Sequence, residues 1–395
     1  MQQTWNLNEE AMRRIEITRK IESLAKVYAD EMKGIGSSPF GSGKDPQSKL
    51  GKLESVLRNH DTDIQTQFTS KTKKGKTIKK FHHNHGDADQ RCADYVGLII
   101  AEYPNLNDKK PSEFAILIRK FDKIISHKDI EKIRIRVKKK VCSFADMIVD
   151  AMRYSKVQSS IFSKYIKLLG FRTCVYCNAQ FATTAYVSKE VRDNKGRLKF
   201  IKPVPATFYE LDHNMPKSIY PFLCTNFYNL QPCCGSCNRR KNNNPLPFSV
   251  YYENGDGTNP RPLHFALKPK DIIEYRINNR FKGIGAYLCN SGSSLPPTDR
   301  VRTLARKFEN TLGIQGVYNE YKDIVEELLW RHKIYSKGFV KSLDAQMKSL
   351  GISSFDFKQF ILGTYVDAND AFKRPFTIML QDIWEQLEGK RADKI

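Results

Sequence analysis

The chain has 395 residues, 40% of them hydrophobic, enough to bury a substantial core and to argue against wholesale disorder. Lysine and arginine outnumber aspartate and glutamate 66 to 43, and the resulting charge of +23 points to polyanionic partners, nucleic acid foremost. No stretch approaches the roughly 18 apolar residues of a membrane-spanning helix, and Met1-Gln2-Gln3-Thr4-Trp5-Asn6 does not open like a signal peptide.

In chain order, residues 8–33 read as a helix, because Ile15, Ile17, Ile21, Leu24, Ala25 and Tyr28 recur at roughly helical spacing. Residues 34–48 cluster Gly, Ser and Pro as a loop does, and 52–68 reads as weakly helical. Lys71, Lys73, Lys74, Lys76, Lys79 and Lys80 then run into Phe81-His82-His83-Asn84-His85-Gly86. That stretch reads as a basic loop, suited either to phosphate contact or to simple solvation. His82, His83 and His85 have no second ligand pair nearby at metal-binding spacing. Residues 87–169 are mainly helical in pattern, interrupted where Lys132 to Lys138 alternates strictly. The alternation predicts a strand with Ile133, Ile135 and Val137 inward and Lys132, Arg134, Arg136 and Lys138 on a basic outer face.

Past residue 165 the composition shifts to cysteine, asparagine and aromatics, which divides the chain into a basic, mainly helical region (1–165), a cysteine-bearing domain (166–262) and a mainly helical region (263–395). In the middle region, 183–191 and 197–204 read as strands around the turn Asp193-Asn194-Lys195-Gly196, and 207–212 as a third. Residues 253–262 and 291–297 read as loops, with 263–287 of mixed character between them. Helices are expected at 300–312, 315–335, 355–364 and 375–387, the last with Pro near its first turn.

Of the nine cysteines, four form two CxxC pairs, Cys174/Cys177 and Cys234/Cys237. An odd total argues against a full set of disulfides, so a reducing cytoplasm is expected. Each CxxC turn puts two sulfurs on one side, so the pairs together suit one tetrahedral structural zinc. Cys233 could exchange with Cys234 as ligand, but only Cys234 completes a CxxC spacing. Between the pairs, Asp212 offers a hard oxygen suited to Mg²⁺ or Mn²⁺, and His213 a near-neutral base able to take a proton from water. On a regular strand these two would face opposite ways, so the pair is expected where the strand ends or bends, ahead of Asn214-Met215-Pro216.

The order Cys174, Cys177, Asp212, His213, Asn229, Cys234, Cys237 and Asn238 resembles the HNH endonucleases, the ββα-metal nucleases, over roughly a fifth of the chain. The resemblance implies an α+β fold, with mainly α-helical flanks around a zinc-stapled ββα core, and metal-dependent hydrolysis of phosphodiester bonds. It implies His213 as general base, Asp212 and Asn238 as ligands of a catalytic divalent ion, and Asn229 as the central Asn that holds a loop and orients the imidazole. Arg239, Arg240, Lys241 and Lys217 are candidate phosphate contacts. The 34 residues between Cys177 and Asp212 exceed what a minimal motif needs, and the 183–204 hairpin accounts for the excess. The layout is also similar to prokaryotic anti-phage HNH effectors of the Septu and retron-associated kind, which would imply an ATPase or reverse-transcriptase partner. The substrate expected first is DNA. An HNH-type RNase and a non-catalytic zinc-containing nucleic-acid-binding protein are the alternatives.

Overall fold

Helices dominate both ends of the chain, and five small, separate sheets are set among them in the described residues, an α+β architecture. The computed structural model describes residues 14–33, 49–59, 63–71, 77–84, 87–137, 140–255, 262–290, 304–351 and 356–389, with the backbone alone at 63–71, 78–84, 87–89, 137, 140 and 337. One buried cluster runs from Ile15 to Leu387 and draws on all three sequence regions. No helix among the described residues is long and apolar enough to cross a membrane.

The first helix is shorter than its periodicity predicts. Ile15 and Ile17 are buried but lie ahead of it: Ile15–Glu16 is a two-residue strand parallel to Tyr251–Tyr252, and the helix spans Arg19–Lys33. Its buried side carries Ile21, Ala25, Tyr28, Ala29 and Met32. Tyr28 meets the rings of Phe162 and Tyr165 edge-on, at centroid distances of 5.4 and 5.2 Å, and its hydroxyl donates to the Thr225 carbonyl at 2.6 Å. The helix thereby fixes the segment just ahead of the second CxxC pair.

The region read as weakly helical divides into a helix, Lys49–Arg58, and a strand, Asp63–Lys71. In the strand, Ile64, Thr66 and Phe68 alternate with Gln65, Gln67 and Thr69, and that two-residue period prevails over the helical reading. Thr77–Asn84 is its antiparallel neighbour, so Lys79, Lys80, His82 and His83 belong to a strand rather than a loop, whereas 72–76 and His85 lie outside the described residues. Ile133–Val137 and Lys140–Ser143 complete a four-stranded sheet. The alternation is seen at its centre, where Ile135 is fully buried and Arg136 exposed; Ile133 and Arg134 are both half-buried, and the Val137 side chain and Lys138 lie outside the described residues.

The C-terminal region carries helices at Leu304–Leu312, Ile314–Asn319, Lys322–Ile334, Lys337–Ser349, Phe357–Leu362 and Thr377–Leu387. The single helix expected at 315–335 is therefore broken at 320–321, and Lys337–Ser349 is an addition to the expected set. Within the stretch of mixed character, Leu263–Ala266 pairs with Tyr287–Asn290. Asp382 Oδ2 accepts from the Phe265 amide at 2.9 Å and ties this pair to the last helix.

Candidate metal centre and acid–histidine strand

The second CxxC begins where a hairpin ends. Strand Glu210–His213 pairs antiparallel with Leu230–Cys233, and helix Gly235–Lys241 follows at once, capped by Cys234. At Gly235, which opens the helix, an added Cβ would lie 2.8 Å from Glu210 Oε1 and 2.9 Å from Arg239 Nη1, the ends of two flexible side chains. The Cys237 amide points at Cys234 Sγ at 3.5 Å. The first CxxC lies on the other side, in a turn closed by the Asn178 amide on the Cys174 carbonyl at 2.9 Å and joined to the hairpin by the Val175 amide on the Pro232 carbonyl at 3.2 Å.

The four sulfurs of Cys174, Cys177, Cys234 and Cys237 lie within 4.8 Å of one another. A tetrahedron of zinc–sulfur bonds spaces its corners about 3.8 Å apart, so the donor set and its spacing suit a structural zinc. Burial pushes the Cys174 thiol well up, while the thiols of Cys174, Cys177 and Cys237 pull the Cys234 thiol down by donating to it. A divalent cation would settle four clustered thiolates together. Cys233 stays out of the cluster; its thiol faces the Glu210 carbonyl at 3.6 Å.

The first turn is held from the C-terminal region by a residue the sequence reading overlooked. Asn178 is buried with φ at 51°, in the left-handed region, where an asparagine is tolerated. Its Nδ2 donates to Thr173 Oγ1 and to the Ala371 carbonyl, both at 2.9 Å, and its Oδ1 accepts from the Ile378 amide at 3.1 Å. The Tyr318 hydroxyl adds a 2.6 Å bond to the Cys177 carbonyl.

On the hairpin, the two-residue period of the strand separates the expected partners. Glu210 and Asp212 face the helix. Asn238 Nδ2 donates to Glu210 Oε2 at 2.6 Å, and Asp212 Oδ2 accepts from Lys241 Nζ at 2.9 Å and from the Tyr176 hydroxyl at 2.5 Å. Leu211 and His213 face the other way. His213 Nε2 lies 2.9 Å from the Cys224 carbonyl, and the ring packs 4.7 Å from that of Tyr154. The strand ends at His213, as expected, but it keeps a regular register through the pair, so His213 and the Asp212 carboxylate do not share a face. Burial, helped by Lys217 and Lys241, pushes the His213 pKa down from 6.5 to about 3, so the ring is neutral. A neutral imidazole bonded to a carbonyl through Nε2 carries its proton there and keeps the Nδ1 lone pair for accepting.

Asn229 bonds the backbone on both sides of the loop after His213. Its Oδ1 accepts from the Met215 amide at 2.7 Å, and its Nδ2 donates to the Met215 and Leu223 carbonyls at 3.1 and 3.0 Å. It thus holds the loop that leaves His213 against the segment carrying the Cys224 carbonyl. Lys241, expected at a phosphate, is instead fully buried; besides Asp212 it bonds the His213 carbonyl at 2.7 Å. Arg239 is exposed and lies 3.7 Å from Glu210, Arg240 lies against Gly313, and Lys217 stacks over Tyr154 at 4.5 Å. Glu210 and Tyr176 were also assigned no part, although Glu210 shares a strand face with Asp212 and Tyr176 lies inside the first CxxC.

Comparison with protein-family models, curated proteins and solved structures returned no match.

The expected catalytic ion fares differently from the zinc. Among the described residues, the cysteine cluster is the one group of three or more His, Cys, Asp or Glu side chains close enough to share an ion. Asp212 is engaged by an ammonium and a phenol, and Asn238 by Glu210. In this arrangement a divalent ion would have to displace Lys241 from Asp212 Oδ2.

Proposed function

We propose that the chain is an HNH-type nuclease acting on nucleic acid, DNA before RNA, on a hairpin–helix unit stapled by zinc. The observation that carries the reading is the unit itself: two paired strands joined by the 214–229 loop, the second running straight into a helix, four cysteines joining it to the preceding turn, and His213 held by Asn229's loop with Nδ1 as its accepting nitrogen. In such a unit His213 would take the proton of an attacking water at Nδ1, and the Cys224 carbonyl would stabilise the proton held at Nε2. Exposed Arg239 and Arg240, on the outer side of the helix, would steer phosphates. An anti-phage role with an ATPase or reverse-transcriptase partner is the narrower form of this reading and rests on the resemblance alone.

A second reading is favoured by one specific contact. Lys241 holds the place beside Asp212 that a metal-dependent nuclease reserves for its ion, as expected if the unit is a zinc-stapled nucleic-acid binder without hydrolytic activity. Supercoiled plasmid and a matched RNA, incubated with wild type and His213→Ala in Mg²⁺, Mn²⁺ or EDTA, separate the two. Metal-dependent cleavage that vanishes in the variant, with zinc content unchanged, supports the nuclease. Binding of nucleic acid without cleavage by either protein supports the second reading.

A further inference from the structure

The 183–208 segment is a two-stranded ribbon, Thr183–Arg192 against Leu198–Phe208, and neither strand has a buried residue. Ten paired residues make it roughly 30 Å long. Near its base Tyr186 lies under Lys167 Nζ at 4.3 Å; further out it carries exposed Leu198, Phe200 and Ile201. An isolated two-stranded ribbon with no core is marginal alone. A function outside the fold is the simplest reason to keep it.

Its charges are arranged for an anion. Lys189 and Lys202 are directly opposite in the register, so two ammonium groups share one face, an unfavourable pairing unless something negative lies between them. On the same face come Val187 with Val204 on one side and Val191 with Phe200 on the other. The ribbon's acids are already taken: Glu190 by Arg192 at 2.5 Å and Asp193 by Arg197 at 3.1 Å. Lys189, Lys195, Lys199 and Lys202 have no carboxylate partner among the described residues. Strand addition is obstructed along one edge, because Pro203 and Pro205, two residues apart, fall where the strand's N–H groups point away from its partner.

We infer that this ribbon is a duplex-binding arm, laid into the major groove of DNA with its lysine face toward the phosphates. A groove about 12 Å wide admits a two-stranded ribbon. Lys189 and Lys202 on that face, with Lys195 in the turn and Lys199 at the bulge, supply the backbone contacts, and Phe200 with its valine neighbours supplies apolar contact to base edges. The inference rests on the nucleic-acid reading above but not on hydrolysis.

The test is equilibrium binding of a labelled 30-bp duplex by the full chain, followed by fluorescence anisotropy from 50 to 300 mM KCl with no divalent ion added. Lys189→Ala/Lys202→Ala should weaken binding roughly tenfold and lower the slope of log K against log salt by about 1.8, near 0.9 per lost phosphate contact. Adding Lys195→Ala and Lys199→Ala should roughly double that change. Because all four side chains are exposed, unchanged zinc content and circular dichroism are expected and confirm folding. Wild-type affinity and slope in the double variant overturn the arm. So does the case in which Phe200→Ser/Ile201→Ser changes sedimentation while the lysine variants bind DNA normally, since the ribbon then joins copies of the chain. Wild type that binds through the ribbon but does not cut plasmid leaves this inference standing and removes the nuclease; cutting with an indifferent ribbon does the reverse.

Discussion

Replacing Lys241 by methionine removes its ammonium while keeping most of the side-chain volume, which isolates the charge from the packing. The lysine is fully buried and its Nζ serves both Asp212 Oδ2 and the His213 carbonyl, so the substitution strands a carboxylate that is itself 93% buried and keeps the Tyr176 hydroxyl as a donor. Breaking one side of a buried ion pair costs about 3–5 kcal/mol, and the lost bond to the His213 carbonyl lies within that range. Converting Asp212 to Asn in the same chain neutralises the stranded charge, so Lys241→Met/Asp212→Asn should be at least about 2 kcal/mol more stable than the two single losses added together. Urea denaturation of the four proteins, at equal zinc occupancy, measures the cycle. Additive losses, or a Lys241→Met variant within about 1 kcal/mol of wild type, would refute the buried pair and free Asp212 for a divalent ion.

Three further outcomes are expected. Metal analysis should find one zinc per chain, and Cys237→Ser should lose it and become sensitive to proteolysis, since the three thiols left without a cation repel as they ionise. Stability should fall as pH drops below 6.5: His213 stays neutral in the fold until about pH 3, the unfolded chain takes up the proton first, and the loss by pH 5.5 is about 1.4 kcal/mol. His332, its pKa lowered by burial, acts in the same direction, and His213→Gln should remove the larger part of the slope between pH 7.5 and 5.5 in urea titrations. Asn178→Ala should cost about 3–4 kcal/mol, three side-chain hydrogen bonds plus a left-handed backbone that alanine tolerates poorly. Asn178→Gly, freed of the backbone penalty, should fall between that variant and wild type by thermal melting.

The cysteine cluster was legible because metal geometry restricts ligand spacing, and two CxxC turns carry that restriction in four letters. A strand at Asp212 was legible as well, although 207–208 belong to the ribbon strand Leu198–Phe208 and the site strand is Glu210–His213, and so was the rule that sets Asp212 and His213 on opposite faces. What fills the Asp212 side was not foreseen, though Lys241 follows Cys237 by four residues and so shares its helix face. Asn178 was invisible for a different reason: two of its bonds reach residues 193 and 200 positions away, and no local pattern announces such a partner. Ile15 and Ile17 misled in the same manner, since a two-residue strand leaves no periodicity and its partner, Tyr251–Tyr252, lies far along the chain. Local periods and ligand spacings could be read directly; tertiary closures could not.

Asn178 lies one residue past a zinc-cluster cysteine and bonds residues 371 and 378, while Tyr318 bonds Cys177 itself. The cysteine-bearing segment is therefore not a cassette that can be cut out and studied alone: trimming the last helix would unlatch one of the two turns that carry the clustered cysteines.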